Sequence, residues 1–242
     1  MLQVTANTKV SDIEAQNPEM LAVLKSTGIF SDGKDTDISI GDLCYEFGLH
    51  PQVILNMLGQ AKAVEIPDGV DVQAIQNMEL VELVEHIEKE HHDYLRDRLP
   101  RIVELASQVS ESRDEPDFIE LEKLLIRVSN ELLEHLAHEE EALFPMCRDM
   151  KDGGEVQPTA CGSKVAGPIE CMKREHGDCK KDLEEMKKLA GDYEMPAGGD
   201  EATFELLSLL AELEQNTLQH IYKEDEHLFP RALDTQIAQK NG

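Results

Sequence analysis

From about residue 78 onward, apolar residues recur at three- and four-residue spacing. Leu121, Leu125, Val128 and Leu132 run on into His135, Glu139 and Leu143, and Leu206, Leu210 and Leu213 run through Thr217 into His220, Glu224 and Leu228. Residues so spaced share one helix face, so each series predicts an amphipathic helix. A third series is Met172, His176, Cys179, Leu183, Met186 and Ala190. The first helix has two registers: His91 continues the upstream stripe of Val84 and Ile87, whereas His92 begins the downstream stripe of Leu95, Leu99, Ile102 and Ala106. The long segments cover roughly 78–110, 117–149, 168–190 and 201–236, with Pro116-Asp117, Gly167-Pro168 and Asp200 at or near first turns. The connections are 111–116, a longer Gly- and Pro-containing stretch at 150–167, and 191–200. Four such helices with mostly short links predict an all-α fold, an antiparallel up-down four-helix bundle over 78–242.

The pattern before residue 78 comes in shorter runs and predicts a small helical domain over 1–62. Asn17-Pro18 starts a helix that ends near Gly28; two more are expected over Ile40–Phe47 and Pro51–Leu58, separated at Gly48-Leu49-His50. Leu21, Leu24, Leu43, Phe47, Ile54 and Leu58 are its expected core. Residues 63–77, with Pro67, Asp68 and Gly69, read as a linker.

Two stripes of the bundle contain a carboxylate where an apolar residue is expected. They share one pattern, His-x3-Glu-x4-Phe-Pro: His135, Glu139, Phe144 and Pro145, then His220, Glu224, Phe229 and Pro230. An unpaired buried carboxylate is costly, and a metal ion satisfies carboxylate and imidazole together. One His-x3-Glu is readily a chance event in a Glu-rich helix; two copies in apolar stripes with the same ending are not. The prolines predict a kink or stop near each helix end. His176 faces the same core, and His91 or His92 completes the set. His138 offers an alternative register beside Glu139, while His86, His138 and His227 otherwise read as solvated.

Composition narrows the partners. Fifty acidic against 23 basic residues give a net charge of −27, which repels nucleic acid and anionic membrane surfaces, and the absence of Trp removes a stacking platform for bases. The first nine residues lack the apolar region of a signal peptide and no stretch has the length of a bilayer span, so a cytoplasmic protein is expected. Five cysteines with no Cys-x2-Cys suggest neither a disulfide framework nor a thiolate zinc site. Four histidines and two glutamates suit two metal ions: if each Glu bridges, each ion receives two nitrogens and two oxygens, with room for an oxo or hydroxo bridge and an open position. That donor set fits iron, or manganese, better than structural zinc.

The bundle resembles the hemerythrin-like di-iron proteins, and more closely the repair-of-iron-centres family, which adds a small N-terminal domain. The resemblance rests on Val53-Ile54-Leu55-Asn56-Met57-Leu58, His92-Asp93 followed by Leu99-Pro100, His135-x3-Glu139-x3-Leu143-Phe144-Pro145-Met146, Ala166-Gly167-Pro168-Ile169 leading through Met172 to Glu175-His176, and His220-x3-Glu224-x3-Leu228-Phe229-Pro230. It implies metal ligands His92, His135, His176 and His220 with Glu139 and Glu224 as bridges, selecting His92 over His91 and His135 over His138. Oxygen-carrying hemerythrins have a further histidine one turn after the position of His176, where this chain has Lys180, so the repair family is favoured. The adjacent Cys-Cys usual in that family's small domain is replaced by Phe30-Ser31-Asp32-Gly33.

Site and resemblance together lead to the expectation of a non-haem di-iron protein that repairs iron–sulfur clusters under nitrosative or oxidative stress. Two activities suit the ligand set: donation of labile iron to a damaged cluster, or reduction of nitric oxide, which would make the protein an enzyme. Expected partners are nitric oxide, oxygen and damaged iron–sulfur proteins, and the chain is compatible with a monomer or a dimer. The alternative is a hemerythrin-like protein that senses or stores oxygen, nitric oxide or iron without turnover.

Overall fold

The computed structural model describes residues 4–31, 33–60, 66–152 and 164–241, which fall into two compact units, Met1–Glu65 and Ile66–Gly242. The first holds α1 (Val10–Gln16), α2 (Pro18–Ser26), α3 (Ile40–Glu46) and α4 (Pro51–Gln60). The Asn17 side chain caps α2 by accepting from the Met20 N–H at 3.2 Å, and the Ser39 hydroxyl caps α3 by accepting from the Asp42 N–H at 3.1 Å. Gly28, at φ 75°, takes the left-handed conformation that lets the chain leave α2. Val10, Ile13, Leu24, Ile40, Leu43, Cys44 and Leu58 are wholly buried, joined by Leu21 and Ile54. Phe47 does not join them: it follows the last residue of α3 and lies exposed beneath the Lys34 ammonium, 4.5 Å from its ring centre.

The second unit is the expected antiparallel bundle. Its first rod, 80–113, consists of α6 (Leu80–Ile87), a π-helical turn at Glu88–His92 and α7 (Asp93–Arg113), and is preceded by a short α5 (Val72–Asn77). The second rod, 116–149, is α8 (Pro116–His138), a π turn at Glu139–Leu143 and α9 (Phe144–Asp149). The third is α10 (Ala166–Leu189); the fourth, 201–241, is α11 (Glu201–Lys223), a π turn at Glu224–Leu228 and α12 (Phe229–Asn241). Both α8 and α11 pack against α7 and α10. Residues 153–163, most of the long connection expected before the third helix, lie outside the described residues.

Part of the expected linker belongs to this unit. Residues 61–65 lie outside the described residues, but α5 buries Ile75 in the bundle, and the Arg231 guanidinium donates to the carbonyls of Ile75 and Met78 at 3.0 and 2.8 Å.

The π turns explain the two registers of the first helix. Such a turn inserts one extra residue, so the stripe advances by one position across it. The stripe through Val84 and Ile87 ends on His91, the next begins on His92, and both histidines are buried. The other two π turns immediately precede Phe144-Pro145 and Phe229-Pro230. A proline ring clashes with the carbonyl four residues back in an ordinary α-turn, and the wider turn relieves that clash. The helix therefore continues beyond each proline instead of stopping.

Along the rods, apolar packing forms two layers. One contains Leu95, Ile102, Leu121, Leu132, Leu183 and Leu210; the other contains Leu83, Ile87, Phe144, Met172, Leu228 and Phe229. Five of the six predicted ligands lie between the two layers in sequence on their respective rods, and His135 lies at the edge of the first, between Leu132 and Leu136.

Candidate metal centre

Each rod delivers one histidine to this level, and the second and fourth add a glutamate. His92 ends its π turn; Glu139 and Glu224 begin theirs one turn after His135 and His220; His176 comes from the middle of α10. Glu139 and Glu224 are 0 % exposed, and their four carboxylate oxygens have no hydrogen-bond partner among the described residues.

The donors form two poles. At one, Nε2 of His92 lies 3.3 Å from Glu139 Oε2, Nε2 of His220 lies 3.2 Å from Glu224 Oε1, and the two nitrogens are 3.3 Å apart. At the other, Nε2 of His135 lies 3.4 Å from Glu139 Oε1, Nε2 of His176 lies 3.2 Å from Glu224 Oε2, and these nitrogens too are 3.3 Å apart. Each pole therefore receives two imidazoles and one oxygen from each carboxylate, with the four ligand atoms within 4.8 Å of one another. Two buried carboxylates without donors would be strongly destabilising alone, whereas a cation at each pole satisfies every one of these atoms. The residues present fit a pair of metal ions.

Three histidines are held from behind. His92 donates through Nδ1 to Glu140 at 2.8 Å, and Arg96 grips that carboxylate with two hydrogen bonds of 2.8 Å. His135 donates through Nδ1 to Glu175 at 2.7 Å, and His176 to Asp225 at 2.9 Å. A carboxylate on Nδ1 fixes the proton there and leaves the Nε2 lone pair aimed at the centre. Phe144 stacks on His92 and Phe229 on His176, with ring centroids 5.3 and 5.6 Å apart. The sequence repeat thus has a structural counterpart: Glu139, Glu140 and Phe144 serve His92 as Glu224, Asp225 and Phe229 serve His176.

Electrostatics follow this geometry. Burial alone would lower His92, His135 and His176, yet all three are raised, His176 to about 10, because carboxylates flank them on both sides. His220 is driven well below its usual value, chiefly by burial and by the neighbouring imidazoles against the opposing pull of Glu139. The braces are lowered: Glu175 by its bond to His135, and Glu140 and Asp225 by their partners against the opposing effect of burial.

The other candidates stand apart. His91 is 1 % exposed, but its nitrogens are taken by Asn216 and Lys223. His138 is half exposed and comes no closer than 4.0 Å to Glu134 and Glu175. His86 and His227 are partly buried rather than solvated; His86 meets Lys223 at 2.9 Å, and His227 packs edge-on against Tyr222. Lys180, where oxygen carriers have a histidine, lies 3.4 Å from Asp225 and so supports the His176 brace. Cys44, Cys147, Cys171 and Cys179 are free thiols; Cys161 lies outside the described residues.

Glu140 and Asp225 did not stand out in the sequence because each sits one position off its stripe in an acidic run that resembles a solvated face. Their signal was an acid directly after each stripe glutamate.

Residues 83–232 match the family model of the hemerythrin HHE cation binding domain. The iron-sulfur cluster repair protein YtfE of Dickeya chrysanthemi (strain Ech1591) is 31% identical over 160 residues, 65% of this chain and 68% of the relative. YtfE of Cronobacter sakazakii is 33% identical over 175 residues, 72% and 73% of the two chains. The iron-sulfur cluster repair protein DnrN of Neisseria gonorrhoeae is 30% identical over 152 residues, 63% of this chain and 90% of that one. The chain belongs to the hemerythrin family, in its repair-of-iron-centres branch. A hemerythrin domain binds metal cations, and in this one the histidine and glutamate cluster is fit to hold them. No helix among the described residues is long and apolar enough to cross a membrane.

Proposed function

We propose that this hemerythrin-like chain binds two iron ions and repairs damaged iron–sulfur clusters in the cytoplasm. His92 and His220 would hold one ion, His135 and His176 the other, with Glu139 and Glu224 shared between them. The observation that carries the reading is the division of each carboxylate, one oxygen to each pole, with no other partner for any of the four oxygens among the described residues. Names of relatives at 30 to 33% identity support the repair role. When bound, the iron pair supplies exchangeable iron, electrons and open coordination positions. The protein would fix three of the imidazoles by their carboxylate braces, neutralise the cations with two carboxylates, and flank the site with apolar layers.

Repair by iron donation and repair by nitric oxide reduction leave different products. In the first, iron leaves this site for the client. In the second, two molecules of nitric oxide take two electrons and two protons to give nitrous oxide and water. The test supplies iron-57-loaded protein to an iron–sulfur dehydratase damaged by nitric oxide. Recovered activity with the label in the client supports donation, and nitrous oxide formation without transfer supports reduction. A protein that keeps its iron and restores no activity would instead be a store or sensor.

A further inference from the structure

A cavity of about 550 Å³ reaches the centre from the side of α8, α10 and α11, lined by His135, His176 and His220 at its inner end. Its wall includes Val128, Leu132 and Ile221, together with the partly buried Cys179, whose thiol burial pushes up to about 12 and keeps protonated. Among the lining residues there is one hydroxyl, that of Thr217. Thr217 is 1 % exposed, and its Oγ1 has no hydrogen-bond partner among the described residues.

A hydroxyl inside a helix ordinarily returns to the carbonyl four residues back. Two others on the same rod do so: Ser208 donates to the Phe204 carbonyl at 2.9 Å and Thr235 to the Arg231 carbonyl at 2.7 Å. Thr217 does not, and leaving a buried hydroxyl unpaired is destabilising. It lies three residues before His220, on the same helix face and one turn from that ligand. Valine has nearly the same shape without the polar atom, so filling the stripe does not require a hydroxyl here.

The geometry points to Thr217 as the positioning residue for a small polar ligand, such as a diatomic oxide or a linear triatomic anion, that enters by this cavity. Its hydroxyl would donate a hydrogen bond to that ligand. The inference rests on the reading of the cluster as a di-iron centre. It adds a determinant of ligand affinity and orientation outside the six metal ligands.

The test titrates azide into the oxidised, iron-loaded full chain and records both the dissociation constant and the azide antisymmetric stretch. Thr217→Val should keep its iron, bind azide about tenfold more weakly and shift the stretch, because one hydrogen bond to an anion is lost. Thr217→Ser, which retains the donor, should stay close to wild type in both. If Thr217→Val fails to fold or loses iron, Thr217→Ala compared with Thr217→Ser gives the same contrast. Equal affinity and an unchanged stretch in an iron-loaded variant without the hydroxyl would overturn the inference alone. A wild-type chain that takes up no iron would overturn the reading beneath it.

Discussion

The ring of His91 lies flat against that of His220, with centroids 5.2 Å apart and planes at 11°. Its Nδ1 is 3.1 Å from Asn216 Oδ1 and its Nε2 is 2.8 Å from Lys223 Nζ. Burial, with His220 and Lys223 nearby, lowers His91 to about 2, so the ring is neutral, donating to Asn216 and accepting from Lys223. Neither nitrogen is left for a metal. His92→Ala is expected to lose iron, whereas His91→Ala should retain most of it; metal analysis of the purified variants checks this. Iron loss in His91→Ala alone would reverse the assignment.

Glu139 and Glu224 each place one oxygen at either pole, so removing either carboxylate would affect both candidate metal positions at once. Glu139→Ala and Glu224→Ala should each reduce iron content to below half of wild type, because two cations would then face each other with less neutralising charge. Metal analysis and thermal melting with and without iron decide the matter. Wild-type iron content in both variants would exclude the bridging role.

The braces act through the ligands they hold. Asp225→Ala and Glu175→Ala should each weaken metal binding by about tenfold to a hundredfold, since the imidazole loses the partner that fixes its tautomer and direction. Competition with a calibrated chelator measures this, and circular dichroism of the metal-free variants should be unchanged. Unaltered affinity in both would mean that packing by Phe229 and the opposing histidines suffices to orient the rings.

The rods and the candidate ligands His135, His176 and His220 were legible because burial imposes a period on the sequence and a carboxylate in an apolar stripe is conspicuous; the choice of His92 over His91 and of His135 over His138 came from the family resemblance alone. Less visible was anything that departs from a constant period. The extra residue of the Glu88–His92 turn appeared as two competing stripes, when both His91 and His92 are buried. Helix α1 carries only Val10 and Ile13 as buried residues over seven positions, too few to establish a period. Helix α5 lies behind Pro67 and Gly69, whose turn chemistry dominates the local signal. Glu140 and Asp225 act across helices, and spacing along one chain segment does not reveal which histidine on another rod an acid will meet.

The two units have separate cores, and all six candidate ligands lie in the second. A chain of residues 66–242 should therefore fold, melt cooperatively and hold wild-type iron. Truncation at 78 should be less stable, because it removes Ile75 and the carbonyl that accepts from Arg231. Calorimetry and metal analysis of both truncations test this. A 66–242 chain without iron would contradict a self-sufficient bundle, and one that repairs clusters at the full rate would remove the first unit from the function.

If one buried site holds two irons sharing two carboxylates, anaerobic purification followed by iron counting and Mössbauer spectroscopy of the oxidised protein should find two irons per chain, antiferromagnetically coupled. A single uncoupled iron, or a folded wild-type chain that binds none, would rule out the shared site.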